Sequence, residues 1–213
     1  MPGPVHLRPH ADVAERALLP GDPGRALRLA QELTEVPKML NHHRGLWGYT
    51  GVASDGAPLT IQSTGLGGPS TAIVVEELIG LGARRLVRVG TCRAELPLGS
   101  LVVPDAVRAQ DGVSRALGAP DVLDPDGELL DALRGGGRVG EVVSADLYSS
   151  PAGAVPVDLA SGALLAVAAR HGARAACVLI VTESRGKRIG GEALERAEVE
   201  AGWLAAGAVG APA

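Results

Sequence analysis

Short apolar runs alternate along the chain with longer amphipathic or alanine-rich ones. Residues 17–19 predict a short strand that ends in the turn Pro20-Gly21-Asp22-Pro23. A helix is expected over 24–33. Residues 47–53 and 59–63 predict two strands joined at Asp55-Gly56, a hairpin signal. Gly67-Gly68-Pro69-Ser70 opens a helix to about residue 81, with Ser70 as its expected cap. Strands follow over 85–89, 100–107 and 139–145, and helices over 126–133, 158–171 and 192–206. The run 175–181 is continuously apolar, as in a strand buried on both faces of a mixed or parallel sheet. Residues 111–138 carry the weakest pattern. Alternating strands and helices predict an α/β fold: one domain over 1–213, a mixed central β-sheet flanked by helices.

Composition narrows the function. The 213 residues are 46% hydrophobic and 21% charged, ordinary for a soluble globular chain. Aromatics make up 2%, with no Phe, so the core is aliphatic and a base-stacking nucleic-acid surface is not expected. The formal net charge of -4 also argues against nucleic-acid binding. Cys92 and Cys177 suggest two reduced thiols rather than a disulfide framework or a metal cluster. No run is apolar for the ~20 residues of a membrane span, and the N-terminus lacks a secretory apolar segment. A cytoplasmic protein without membrane partners is expected.

Ligands of open α/β sheets sit at the carboxyl ends of strands. Three such places are glycine-rich: 20–25, 64–70 and 88–92. Glycines let backbone amides approach an anion, and a following helix N-terminus favours negative charge. Arginine adds a fork that matches phosphate oxygens. Such turns also occur with no ligand. Arg88 is more telling, because it interrupts the apolar run Leu86-Val87-Arg88-Val89. A charge there needs a bound anion or a buried carboxylate, Glu76 or Glu77 being the candidates weighed.

LLPGDPGRA (18–26), HRGLWGYTG (43–51), STGLGGPSTAIVVEEL (63–78), RVGTC (88–92), VVSADLY (142–148) and VTE (181–183) occur in this order. The series resembles the nucleoside phosphorylases of the trimeric and hexameric type, which include purine nucleoside and uridine phosphorylases. The resemblance implies phosphate contacts from Gly21, Arg25, Arg88 and Thr91, and from Arg44 reaching a neighbouring subunit. It implies that His6, lent by a neighbour, meets the ribose, that Tyr148 packs on the base, and that Glu183 faces the base with Arg196 assisting. A homo-oligomer is implied, built from dimers and up to a hexamer.

The implied reaction is phosphorolysis of a nucleoside to free base and ribose 1-phosphate, purine-type by Glu183 and by the short connection from Tyr148 to Asp158. Inorganic phosphate is the co-substrate. No cofactor or metal is implied, and His42-His43, being adjacent, cannot share a helix face as ligands. For Glu183 to donate a proton near neutral pH its pKa must be raised by desolvation.

Three positions depart from the family pattern. Arg93 replaces a glycine. Ala160 stands where a carboxylate binds the sugar hydroxyls, leaving Asp158 as the nearest acid for the nucleoside. Glu183 is one methylene longer than the usual Asp. Loss of a charged hydrogen bond removes about 1.5–3 kcal/mol each. The alternatives are therefore a weakened family member that binds phosphate or nucleoside, or a hydrolytic nucleosidase.

Overall fold

The computed structural model describes residues 3–148 and 155–210. An N-terminal arm leads into β1 (Arg16–Pro20), α1 (Pro23–Leu33) and β2 (Thr34–Asn41). The hairpin β3 (Gly48–Ala53) and β4 (Pro58–Gln62) follows, then α2 (Gly67–Gly80), β5 (Arg85–Arg93) and β6 (Leu101–Ala109). Next come α3 (Gly112–Ala116), β7 (Val122–Leu123), α4 (Gly127–Leu133), β8 (Arg138–Ser144) and β9 (Val157–Asp158). The chain continues through α5 (Ser161–His171), β10 (Arg174–Ser184), β11 (Lys187–Arg188) and α6 (Gly191–Gly210).

The strands form one mixed sheet. β4, β1, β5 and β10 run parallel side by side, so their carboxyl ends share one edge. From β10 the sheet passes to β6, β8 and β9, and β9 returns to β5. These five strands close a ring, with two-residue β9 as the closing piece. β3 and β2 extend the other side of the sheet.

Alternation along β5 sends Leu86 and Cys92 to one apolar core and Val87 and Val89 to the other. α2 and α5 cover the first core, and α1, α4 and α6 cover the second. Both cores are almost wholly aliphatic, in keeping with the absence of Phe, and Tyr49 joins the second. Cys92 and Cys177 are free and buried, and burial pushes both thiols up, Cys177 to about 12.

Three local expectations are corrected, and one strand not predicted from the sequence, β2, is added. Leu66, not Ser70, is the N-cap position of α2; Ser70 Oγ donates to the Thr64 carbonyl instead. α5 starts at Ser161 rather than 158, because Asp158 lies in β9 and caps the helix from outside. Residues 111–138 hold α3, strand β7, α4 and a 3-10 turn over Arg134–Gly136. There Asp111 and Asp126 serve as N-caps, accepting from the Ser114 and Leu129 amides. β2 carries Pro37, which hides it in the sequence. It is an edge strand, where a missing amide is tolerated, and its pairing with β3 shifts register on both sides of 38–39. Part of the connection between Tyr148 and Asp158 lies outside the described residues.

Candidate active site

One cleft of about 630 Å³ opens at the shared carboxyl edge of the parallel strands. Each wall follows from a strand end. After β1 come Gly21, Asp22, Pro23 and Arg25; after β4 come Gly65, Leu66 and Gly67; β5 contributes Arg88, Thr91 and Arg93; β10 and the turn beyond it add Thr182, Glu183, Arg188 and Ile189. Tyr148 and Leu159 complete the lining. All three glycine-rich segments therefore meet in one place.

The half of the cleft around Arg25 and Arg88 is built from buried charge. Asp22 caps α1, accepting from the Arg25 amide at 2.7 Å, which fixes the turn. Arg25 Nε donates to Glu198 at 2.8 Å and its Nη1 to the Val89 carbonyl at 3.1 Å. Arg28 shares the same carboxylate. Arg88 Nε donates to Asp158 Oδ2 at 3.2 Å, while its Nη1 is buried without a partner among the described residues. Gly90 is required here: a Cβ would stand 2.7 Å from Arg88 Nε and 2.7 Å from Leu179 Cδ2. Gly65 has φ +73°, and a side chain would strike Ser70 Oγ. Among the described residues no side chain caps the N-terminus of α2, and its N-cap Leu66 and first residue Gly67 line the cleft, where helix amides favour negative charge.

Asp158 does not face the cleft. It is fully buried and accepts from the Ala160 amide, the Ser161 amide and the Ser161 hydroxyl as well as from Arg88. Its acceptors are used within the protein, so it is not free for a nucleoside. Arg88 thus pairs with Asp158, and not with Glu76 or Glu77, the two acids weighed from the sequence. Glu76 meets His171, and Glu77 accepts from the amides of Val5, His6 and Leu7. Burial works to raise the Glu77 pKa, but these three amides together leave it lowered. The clamp fixes the N-terminal arm and leaves the partly exposed His6 outside the cleft.

The other half is filled by Arg93. Its guanidinium lies 4.7 Å from the centroid of the Tyr148 ring and pairs with Glu183. Arg188 Nε approaches the second Glu183 oxygen at 3.6 Å. The Arg93 hydrogen bond, helped by the charges of Arg93 and Arg188, lowers the Glu183 pKa against the opposing effect of burial. The raised pKa expected for a proton donor is therefore corrected: Glu183 is held as a carboxylate. Burial and the charge of Asp158 push Tyr148 up to about 12.

Two further residues lie apart from the cleft. Arg196 sits on the exposed face of α6 near Glu192, and Arg188 takes the place beside Glu183. Arg44 is exposed in a 3-10 turn over His43–Gly45, at φ 60°. Sequence reasoning missed Arg188 and Glu198. The latter was detectable as an acid on the α6 stripe Leu194, Ala197, Ala201, Ala205 and Ala208, which packs on the core. Among the described residues, no group of three or more His, Cys, Asp or Glu could hold a metal, and no helix is long and apolar enough to cross a membrane.

An arginine-lined cleft at the carboxyl edge of a mixed α/β sheet is what fold and site define together. The Phosphorylase superfamily model matches residues 15–149. The DeoD-type purine nucleoside phosphorylase of Oceanobacillus iheyensis is 33% identical over 204 residues, covering 84% of this chain and 86% of the relative. That of Geobacillus kaustophilus is 32% identical, covering 81% and 82%. Uridine phosphorylase from Vibrio fischeri ES114 superposes with a TM-score of 0.82 at 24% identity, covering 92% of each chain. The same protein complexed with 6-hydroxy-1-naphthoic acid gives 0.83, covering 92% and 91%. This chain belongs to the phosphorylase superfamily.

Proposed function

We propose that the chain catalyses phosphorolysis of a nucleoside, purine-type favoured, yielding free base and ribose 1-phosphate. The observation that supports this most is the meeting of Gly21, Arg25, Arg88, Thr91 and the start of α2 in one cleft, where Arg88 Nη1 and the α2 N-terminus have no side-chain partner among the described residues. Phosphate takes these donors and is held in line with the anomeric carbon, which provides the positioning part of catalysis. As the glycosidic bond lengthens, the sugar becomes cation-like and the base leaves as an anion. Glu183, being ionised, accepts a hydrogen bond from an N–H of the base rather than donating its own proton, and the departing base anion takes its proton from solvent water. The names of the DeoD-type relatives favour a purine.

Arg44 and His6 lie outside the cleft of their own chain. In this reading they serve a second copy, and the protein is a homo-oligomer acting in the cytoplasm.

A second reading, phosphate or nucleoside binding without efficient turnover, is favoured by two observations. Ala160 offers only a buried methyl where the sugar needs a carboxylate, and Arg93 occupies Glu183.

The test is base release from inosine, guanosine, adenosine and uridine, in phosphate and in phosphate-free buffer. Phosphorolysis gives release from purine nucleosides only with phosphate, with ribose 1-phosphate in equal amount. Release independent of phosphate would make the protein a hydrolase. Phosphate-induced thermal stabilisation without release would leave the second reading.

A further inference from the structure

The half of the cleft that the phosphorylase reading gives to the base already holds a planar group, the guanidinium of Arg93. It has an aromatic face beneath it, Tyr148, and a carboxylate at its edge, Glu183. The Arg93 and Glu183 side chains are 21% and 18% exposed, so the pair is largely shielded from water. Arg93 Nε is buried without a partner among the described residues, so the guanidinium is not held on every side. Arg188 lies against the other oxygen of Glu183 and stays as its counter-ion when Arg93 leaves.

We infer that Arg93 is a resident stand-in for the base and a specificity-determining residue. A base enters by reproducing both of its interactions: a flat face on Tyr148 and an N–H donor edge toward Glu183. Arginine stacks on aromatic rings and pairs with carboxylates through a planar fork. Guanine carries the same chemistry. Its N1–H and exocyclic amino group form a parallel donor pair, and its rings offer a larger stacking face. Hypoxanthine keeps the N1–H alone. Adenine turns a lone pair at N1 toward the carboxylate, which repels it. The inference rests on the phosphorylase reading for the position of the base, and not on phosphate as nucleophile.

The test is equilibrium binding of guanosine, inosine and adenosine, by calorimetry without phosphate, so that no phosphorolysis intervenes. It uses the wild-type protein, Arg93→Ala and Arg93→Gly. The wild type is expected to bind guanosine more tightly than inosine and inosine more tightly than adenosine. Both variants are expected to bind guanosine about tenfold more tightly, because no resident group has to be displaced. Variants that bind guanosine no better than wild type would overturn the inference, as would a wild type that binds adenosine as well as guanosine. If the variants do not fold, the wild-type order alone decides. Phosphorolysis that survives either failure sinks the stand-in but not the proposed function. The absence of any nucleoside binding sinks both.

Discussion

Arg88 and Asp158 are joined inside the protein, Nε to Oδ2 at 3.2 Å, with side chains 7% and 0% exposed. The same carboxylate starts α5 through the Ala160 and Ser161 amides. One acid thus sets both a helix end and the aim of the arginine that interrupts β5. Removing one member of a buried pair costs about 3–5 kcal/mol, because the other charge stays buried. Asp158→Ala is expected to lower the urea midpoint accordingly and to weaken phosphate binding. A variant with wild-type stability would show that the pair carries no such weight.

Gly90→Ala tests the packing of that arginine without changing charge. The new methyl would stand 2.7 Å from Arg88 Nε and 2.9 Å from its Cζ, so the guanidinium must move. Overpacking costs about 1–3 kcal/mol. Phosphate-induced thermal stabilisation should shrink beyond what the lost stability explains, measured by melting with and without phosphate.

Glu198 plays the matching part for Arg25. It is 3% exposed and holds both Arg25 and Arg28. Glu198→Gln removes the charge and keeps the shape, leaving the buried Arg25 without its counter-ion. Stability should fall by about 3–5 kcal/mol. The freed arginine should bind phosphate at least as well as before, which an isothermal titration would check. This is the opposite of the effect expected for Asp158→Ala, where Arg88 loses its orientation.

The meeting of the glycine-rich turns with Arg25 and Arg88 in one cleft was legible because its cause is local. Glycine-rich turns after strands, and an arginine inside an apolar run, state their problem within a few residues. The partners were not legible. Asp158 reaches Arg88 across 70 positions and Glu198 reaches Arg25 across 173. Pattern places an acid on a face, but only the sheet register decides whom it meets. The surroundings of Glu183 were less legible for the same reason. β11 turns back against the end of β10 and brings Arg188 beside Glu183, while Arg196 lies on the outer face of α6. The overall α/β alternation was readable, whereas the closing strand β9 is two residues long and leaves no periodicity.

Glu183 gives a pH signature. Its pKa is lowered chiefly by Arg93, so the carboxylate is ionised below the ordinary value of 4.5. A lowered folded-state pKa contributes stability that is complete above the unfolded value and lost as pH falls through the folded one. In Arg93→Ala the Glu183 pKa should rise toward the ordinary range, with Arg188 still holding part of the shift. Carbon-detected NMR titration of the carboxylate in both proteins reads this directly. An unchanged midpoint would mean that Arg93 is not its main partner in solution.

The most direct measurement is a crystal structure with phosphate and a purine nucleoside bound. The account predicts phosphate among Gly21, Arg25, Arg88 and Thr91, the base on Tyr148 and Glu183, and Arg93 swung away. Phosphate bound elsewhere, or a base seated while Arg93 stays on Tyr148, would contradict it.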